Sequence, residues 1–119
     1  MPIFHDRLGA ELATSERVFR PIGEGPASCA FENVVVEGAV IPWHQHPHEE
    51  VLVCLAGRAE CTFAGGAPEP YAAGSVVVIP AHTRHTIRAL GPGPLRQLSF
   101  FAGPAPATEW DTAPGSVTD

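Results

Sequence analysis

Three histidines alternate along one short stretch, His44, His46 and His48, and a glutamate follows at Glu50. Residues two apart on a β-strand point to the same face with Cα atoms about 7 Å apart, so the imidazoles of His44 and His46 can converge on one ion. Glu50 has the same parity, yet four further residues of straight strand would carry it roughly 13 Å away. Pro47 offers the necessary break: one strand ends at His46, and Glu50 opens the next. A fourth ligand is available in His85, at the start of its own strand after the turn at Pro80. Neutral imidazoles with one carboxylate suit Fe, Mn, Ni, Co, Cu or Zn, and do not suit Ca or Mg. The competing reading is a wet polar pocket that holds no ion, although inward histidines without a partner leave polar atoms unpaired.

Such a cluster needs a rigid scaffold of strands. The 12 glycines and 13 prolines are spread along the chain as punctuation, and short apolar or alternating runs of strand length lie between them. These runs are 29–37, 39–46, 50–56, 58–64, 75–79, 85–90 and 95–101. Their spacing points to an all-β barrel or sandwich. The run 75–79 is β-branched and continuous, which predicts a buried strand. Only the stretch from about Asp6 to Phe19 has the makings of a helix, ended by the segment from Pro21 to Pro26. The resulting organisation is an N-terminal arm over 1–26, a strand-rich body over 27–102, and a Pro/Gly-rich tail over 103–119. In that tail Trp110 is the residue expected to dock onto the body.

A chain of 119 residues has room for one domain. It is 45% hydrophobic and 17% charged, the composition of a packed globular protein. Its net charge of −6, with seven arginines and no lysine, argues against a nucleic-acid or anionic-membrane surface. The missing lysine also excludes Schiff-base chemistry. High Ala, Gly, Pro and Arg without Lys is also what a GC-rich coding bias produces. The N-terminus lacks a signal-like apolar core, and no run approaches the roughly 18 apolar residues of a spanning helix. Cys29, Cys54 and Cys61 form no CxxC pair, which points to free thiols and a cytoplasmic location.

The spacing of the chemical residues resembles that of the cupin family. Gly38, five residues, His44-Gln45-His46, three residues, Glu50, six residues and Gly57 reproduce the first cupin motif. Gly74, five residues, Pro80-Ala81-His82, two residues and His85 follow the second. There His82 stands where the family has glycine, and Ala89 where it has asparagine. The substitution at His82 is expected to matter little if the turn needs no positive φ. The resemblance implies a six-to-eight-stranded antiparallel jelly-roll β-barrel with little helix, its body spanning 27–102. It also implies one divalent transition metal held by His44, His46, Glu50 and His85.

Four protein ligands on an octahedral ion leave two positions for a small molecule. The expected function is therefore a metal-dependent enzyme acting on a small enolic, aromatic or carboxylate substrate. A quercetinase-like dioxygenase and a non-redox cyclase, lyase or isomerase are both compatible with these ligands. The alternative is a non-catalytic sensor that binds a metal or small ligand. Glu50 is a candidate base as well as a ligand, with His48 and Tyr71 as further catalytic candidates. His82 reads as an exposed turn residue or as a partner of a ligand. Leu52 and Cys54 share the parity of Glu50, and a hairpin at Ala56-Gly57 would set Leu52 opposite Cys61, with Ala59 and Phe63 on that face. Cys54 and Cys61 would then be diagonal neighbours without a redox role. Arg88 and Arg96 are candidate anchors for an anionic substrate. Exposed sheet edges, together with the resemblance, predict a homodimer.

Overall fold

Alternation gives residues 50–56 two different faces: Glu50, Leu52 and Cys54 are buried, and Val51 and Val53 only half so. The same pattern recurs through the structure, a computed structural model that describes residues 3, 5, 7–10 and 16–111. The strands in chain order are β1 (Arg17–Glu24), β2 (Cys29–Val35), β3 (Val40–Gln45), β4 (Glu50–Ala56), β5 (Arg58–Phe63), β6 (Glu69–Ala72), β7 (Val76–Ile79), β8 (His85–Ala89), β9 (Leu95–Phe101) and β10 (Glu109–Trp110). They form two five-stranded antiparallel sheets, ordered β1-β2-β9-β4-β7 and β10-β3-β8-β5-β6. The described residues contain no helix, and hence none long and apolar enough to cross a membrane.

The architecture is all-β and of jelly-roll type, but the two sheets are separate ladders and do not close into the expected barrel. From β2 to β5 and from β6 to β10 each successive strand swaps sheets. β4 pairs with β7 and β9, whereas β5 pairs with β6 and β8, so the expected β4–β5 hairpin does not form. Leu52 lies opposite Val77 and Ser99, and Cys61 opposite Ile87 and Glu69. The crossing is made at Gly57, with φ 84°, where an added Cβ would sit 2.7 Å from the Pro94 carbonyl oxygen. Only glycine fits that approach.

Two further expectations are corrected. Residues 17–19 belong to β1, which runs on through Pro21 to Glu24; residue 6 and residues 11–15 of the expected helix lie outside the described residues. Proline is tolerated there because β1 is an edge strand, and its register shifts between Pro21 and Gly23. β7 is also an edge strand, so Val76 and Val78 are 60% and 53% exposed where a fully buried strand was expected. Between the sheets, Val35, Ile41, Leu52, Ile87 and Leu95 form the centre of the core with Cys54 and Cys61. Each large aliphatic side chain buried there contributes about 1.5–3 kcal/mol.

At one end of this core the two sheets present facing rows. Trp110, His44, His85 and Phe63 lie in register across one sheet. Ile79, Glu50, Phe101 and Cys29 lie in register across the other.

Candidate metal centre

His44 and His85 are register partners on β3 and β8, and His46 follows just beyond the end of β3. All three are buried, with ring centroids 4.2 Å apart for His44–His85, 5.0 Å for His44–His46 and 6.0 Å for His46–His85. A register shift in β3 between Ile41 and His44 brings the Pro42 carbonyl back to the His44 ring, where it accepts from Nδ1 at 2.7 Å. His85 Nδ1 donates to the Thr83 carbonyl at 2.8 Å, and His46 Nδ1 to the Pro106 carbonyl at 3.1 Å. A carbonyl can only accept, so each Nδ1 carries the proton and each Nε2 keeps a bare lone pair.

Those lone pairs converge. One nitrogen from each ring lies within 4.8 Å of the others. Glu50 Oε1 stands 3.7 Å from His46 Nε2 and 3.8 Å from His85 Nε2. Two nitrogens bound to one ion at about 2.1 Å are at most roughly 4.2 Å apart, so the cluster is within about 0.6 Å of ligand spacing.

The electrostatics fit a cation. Burial, reinforced by the charge of His85, lowers the His44 pKa to about 3; burial also brings His46 to about 4. His85 is lowered by burial as well. The rings are therefore neutral, the state a metal ligand needs. Burial raises Glu50 to about 7, against the opposing pull of the Ser99 hydroxyl and the Arg17 charge. Glu50 Oε1 and His85 Nε2 are buried without any hydrogen-bond partner. Leaving such atoms unmet costs about 1–3 kcal/mol each, and a divalent ion between them would satisfy both.

The pocket over this cluster has two unlike walls. One carries the imidazoles of His44, His46 and His85; the other carries Glu50, Ser99, Gln97, Asn33 and Arg17. Arg17, Gln97 and Trp110 were not singled out as site residues from sequence. Arg17 lies on β1, where a helix was expected, and Gln97 is a single polar residue inside an apolar strand. A buried-face glutamine at strand parity is the signal that could have found it. Trp110 docks as expected, pairing with His44 and lying against its ring at a tilt of 41°, centroids 4.7 Å apart. Residues 112–119 of the tail lie outside the described residues.

The other candidates lie elsewhere. Tyr71 is buried in the core beneath the pocket, its hydroxyl donating to Gln97 Oε1 at 2.7 Å. His48 packs over Gly103, where an added Cβ would run into its ring. His82 is exposed, with φ 62°, and its backbone N–H donates to the His46 carbonyl at 2.7 Å. Its turn does require positive φ, so replacing the family's glycine carries strain. Neither Arg88, beside Glu60 on the surface, nor Arg96, paired with Glu32, lines the pocket.

The cupin domain profile matches residues 31–101, which takes in all four clustered residues. The chain belongs to the cupin family. It is 33% identical over 87 residues to the dimethylsulfoniopropionate lyase DddQ of Ruegeria pomeroyi, a match covering 69% of this chain and 43% of the lyase. The chain thus spans less than half the length of that relative. A double-stranded β-helix protein from Klebsiella pneumoniae superposes with a TM-score of 0.77 at 20% identity, over 85% of this chain and 84% of that one. Oxalate decarboxylase from Bacillus subtilis, a protein with Mn(II) centres, superposes with a TM-score of 0.66 at 25% identity, over 72% of this chain and 24% of that one. The cupin fold, the three-histidine cluster and these relatives support a metal-dependent cupin enzyme.

Proposed function

We propose that this cupin is a mononuclear, divalent-metal-dependent lyase acting on a small carboxylate, with His44, His46, Glu50 and His85 holding the ion. The observation that carries the metal is the cluster of one nitrogen from each of His44, His46 and His85, with the orphaned Oε1 of Glu50 within 3.8 Å of two of them. A bound ion would supply Lewis-acid stabilisation of charge developing on a substrate oxygen. Among the three candidate bases only Glu50 lines the pocket, and it is the group we assign to take the proton. The lyase class is supported by the likeness to the dimethylsulfoniopropionate lyase.

Elimination from a β-substituted propionate requires little of the protein. Glu50 takes a proton from the carbon beside the carboxylate, the bond from the β-carbon to the leaving group breaks with its electron pair, and acrylate remains. Leu52, Ile41, Ile87 and Phe101 line the same pocket and exclude water from the reacting carbons. The test is to give the metal-loaded protein dimethylsulfoniopropionate and measure dimethyl sulfide and acrylate. Stoichiometric release of both, lost in Glu50→Gln, is expected. Absence of elimination from this and other β-substituted propionates would overturn the lyase assignment.

One observation favours an oxidative reading: the structural similarity to a decarboxylase with Mn(II) centres. Oxygen uptake during turnover would select that reading over elimination.

We also assign a second copy of the chain to the outer face of the β7 sheet. Phe100, Val51 and Val78 lie in one cross-strand row there, and Leu98, Val53 and Val76 in the next. Val76, Val78 and Phe100 stay exposed, and apolar rows on an edge strand are the feature that pairing of two copies would cover.

A further inference from the structure

The pocket over the histidine cluster has a free volume of about 10 Å³, room for one water molecule. A short-chain carboxylate has several non-hydrogen atoms and does not fit that space. Part of the wall that limits it is the segment after β9. Thr108 and Trp110 line the pocket, and the Pro106 carbonyl accepts from the His46 ring.

This segment is fixed at its root and lightly held at its far end. At the root the Ala102 N–H donates to the Glu49 carbonyl at 3.1 Å, and the His48 ring covers Gly103. At the far end β10 is an edge strand of two residues, paired only with β3, Glu109 to Gln45 and Trp110 to His44. The Asp111 N–H adds one bond to the Trp43 carbonyl at 3.0 Å. The side-chain links of Arg84 to Asp111 and of Gln45 to Glu109 are exposed. On the inner side Trp110 touches the His44 ring and the Arg17 guanidinium. A short edge strand with exposed hydrogen bonds opens locally, well below the cost of global unfolding. Ala107, between two residues that contact the His46 ring, is held at φ 48°, the kind of backbone strain found in clamps and switches. By contrast β1, the other edge strand at the pocket, is paired with β2 from Arg17 to Glu24.

We propose that residues 104–111 form a hinged strap over the metal site, which admits a carboxylate substrate when β10 lifts from β3 about a root at Gly103. Closed, the strap leaves room for water alone. Lifting it also takes the Pro106 carbonyl and the Thr108 hydroxyl away from His46 Nδ1, so admission of the substrate and orientation of one metal-binding ring are coupled. The proposal rests on the metal-enzyme reading for the substrate, but the motion itself does not require it. The strap lies beyond residues 31–101, the span that the cupin profile matches.

The experiment locks the strap. Gln45→Cys with Glu109→Cys puts two thiols on register partners whose present side chains touch, a spacing that a disulfide bridges. Oxidation holds β10 on β3, and reduction releases it. In the ion-free full chain, diethyl pyrocarbonate acylates the bare nitrogen of a neutral imidazole. Modification of His44, His46 and His85, read by peptide mass, should slow at least about tenfold on oxidation and recover on reduction, because such chemistry tracks the population of the open form. The exposed His82 should react equally in both states. In the metal-loaded chain, release of acrylate from dimethylsulfoniopropionate should be lost on oxidation and return on reduction. If the disulfide does not form, Arg84→Gln, which removes the outer ion pair, should speed modification of the three clustered histidines about two- to fivefold.

Equal reactivity of the cluster in the oxidised and reduced chains overturns the proposal, as does unchanged reactivity in Arg84→Gln where that variant carries the test. Turnover at full rate in the crosslinked chain overturns it too, since the substrate would then enter elsewhere. A chain without turnover in either state contradicts the lyase reading instead, and histidine modification still decides the strap.

Discussion

Nδ1 of His46 lies 3.1 Å from the carbonyl oxygen of Pro106, 60 residues further along the chain. The Thr108 hydroxyl is 3.2 Å from the same nitrogen. The segment leading to β10 therefore selects the tautomer of His46, and Trp110 buttresses the neighbouring His44 ring. Partners of this kind commonly change metal affinity by about 10–100-fold. Truncation after Ala102 is expected to weaken metal affinity within that range in a chelator competition, with Thr108→Ala having a smaller effect. Unchanged affinity in the truncated chain would show that His46 needs no help from the tail.

Stability should fall in acid because of Glu32. Burial alone would raise its pKa, but hydrogen bonds from the Ala10 and Gly9 amides, with Arg96 and Arg20, outweigh that and lower it. A carboxylate depressed on folding stabilises the protein fully above its unfolded pKa, about 4.3, and loses that contribution as pH falls through the lower folded value. In thermal melts from pH 7 to pH 2.5, the stability advantage of the wild type over Glu32→Gln should begin to shrink below about pH 4.5. Glu32→Gln should be less stable by about 2 kcal/mol at pH 7, with a flatter profile in acid. A variant as stable as the wild type at pH 7 would refute this role.

His82 is held at φ 62° in an exposed turn. A left-handed conformation costs a non-glycine residue about 1–2 kcal/mol, partly offset because glycine loses more entropy on folding. His82→Gly is expected to raise stability by up to about 1 kcal/mol and to leave metal content unchanged. A lower melting temperature would mean that the imidazole itself holds the turn.

The apolar rows on the β7 sheet give the oligomeric prediction. Light scattering should return twice the 12.5 kDa chain mass. Val78→Asp should shift the protein towards the monomer while its circular dichroism is unchanged. A wild-type mass of one chain would contradict the assigned second copy.

The histidine cluster could be read from sequence because a strand period of two and a proline break are local properties. Leu52 and Cys54 could be placed on the inner face in the same way, by their shared parity with Glu50. Sheet partnership is not local. The assumption that β4 and β5 pair put Leu52 opposite Cys61, when Gly57 carries the chain to the other sheet. The exposure of Val76 and Val78 likewise follows from the edge position of β7, which its own β-branched run cannot reveal. Arg17 and Gln97 join the site through strands distant in sequence from the histidines. Their place on the pocket wall appears only when β1, β2 and β9 are laid side by side.

Metal content of the purified, untagged protein, measured by elemental mass spectrometry after loading and dialysis, tests the central claim most directly. One divalent transition ion per chain is expected for the wild type and for His82→Ala, and almost none for His46→Ala or His85→Ala. A wild type that takes up no ion, or a His82→Ala variant that alone loses it, would contradict a centre built from His44, His46, Glu50 and His85.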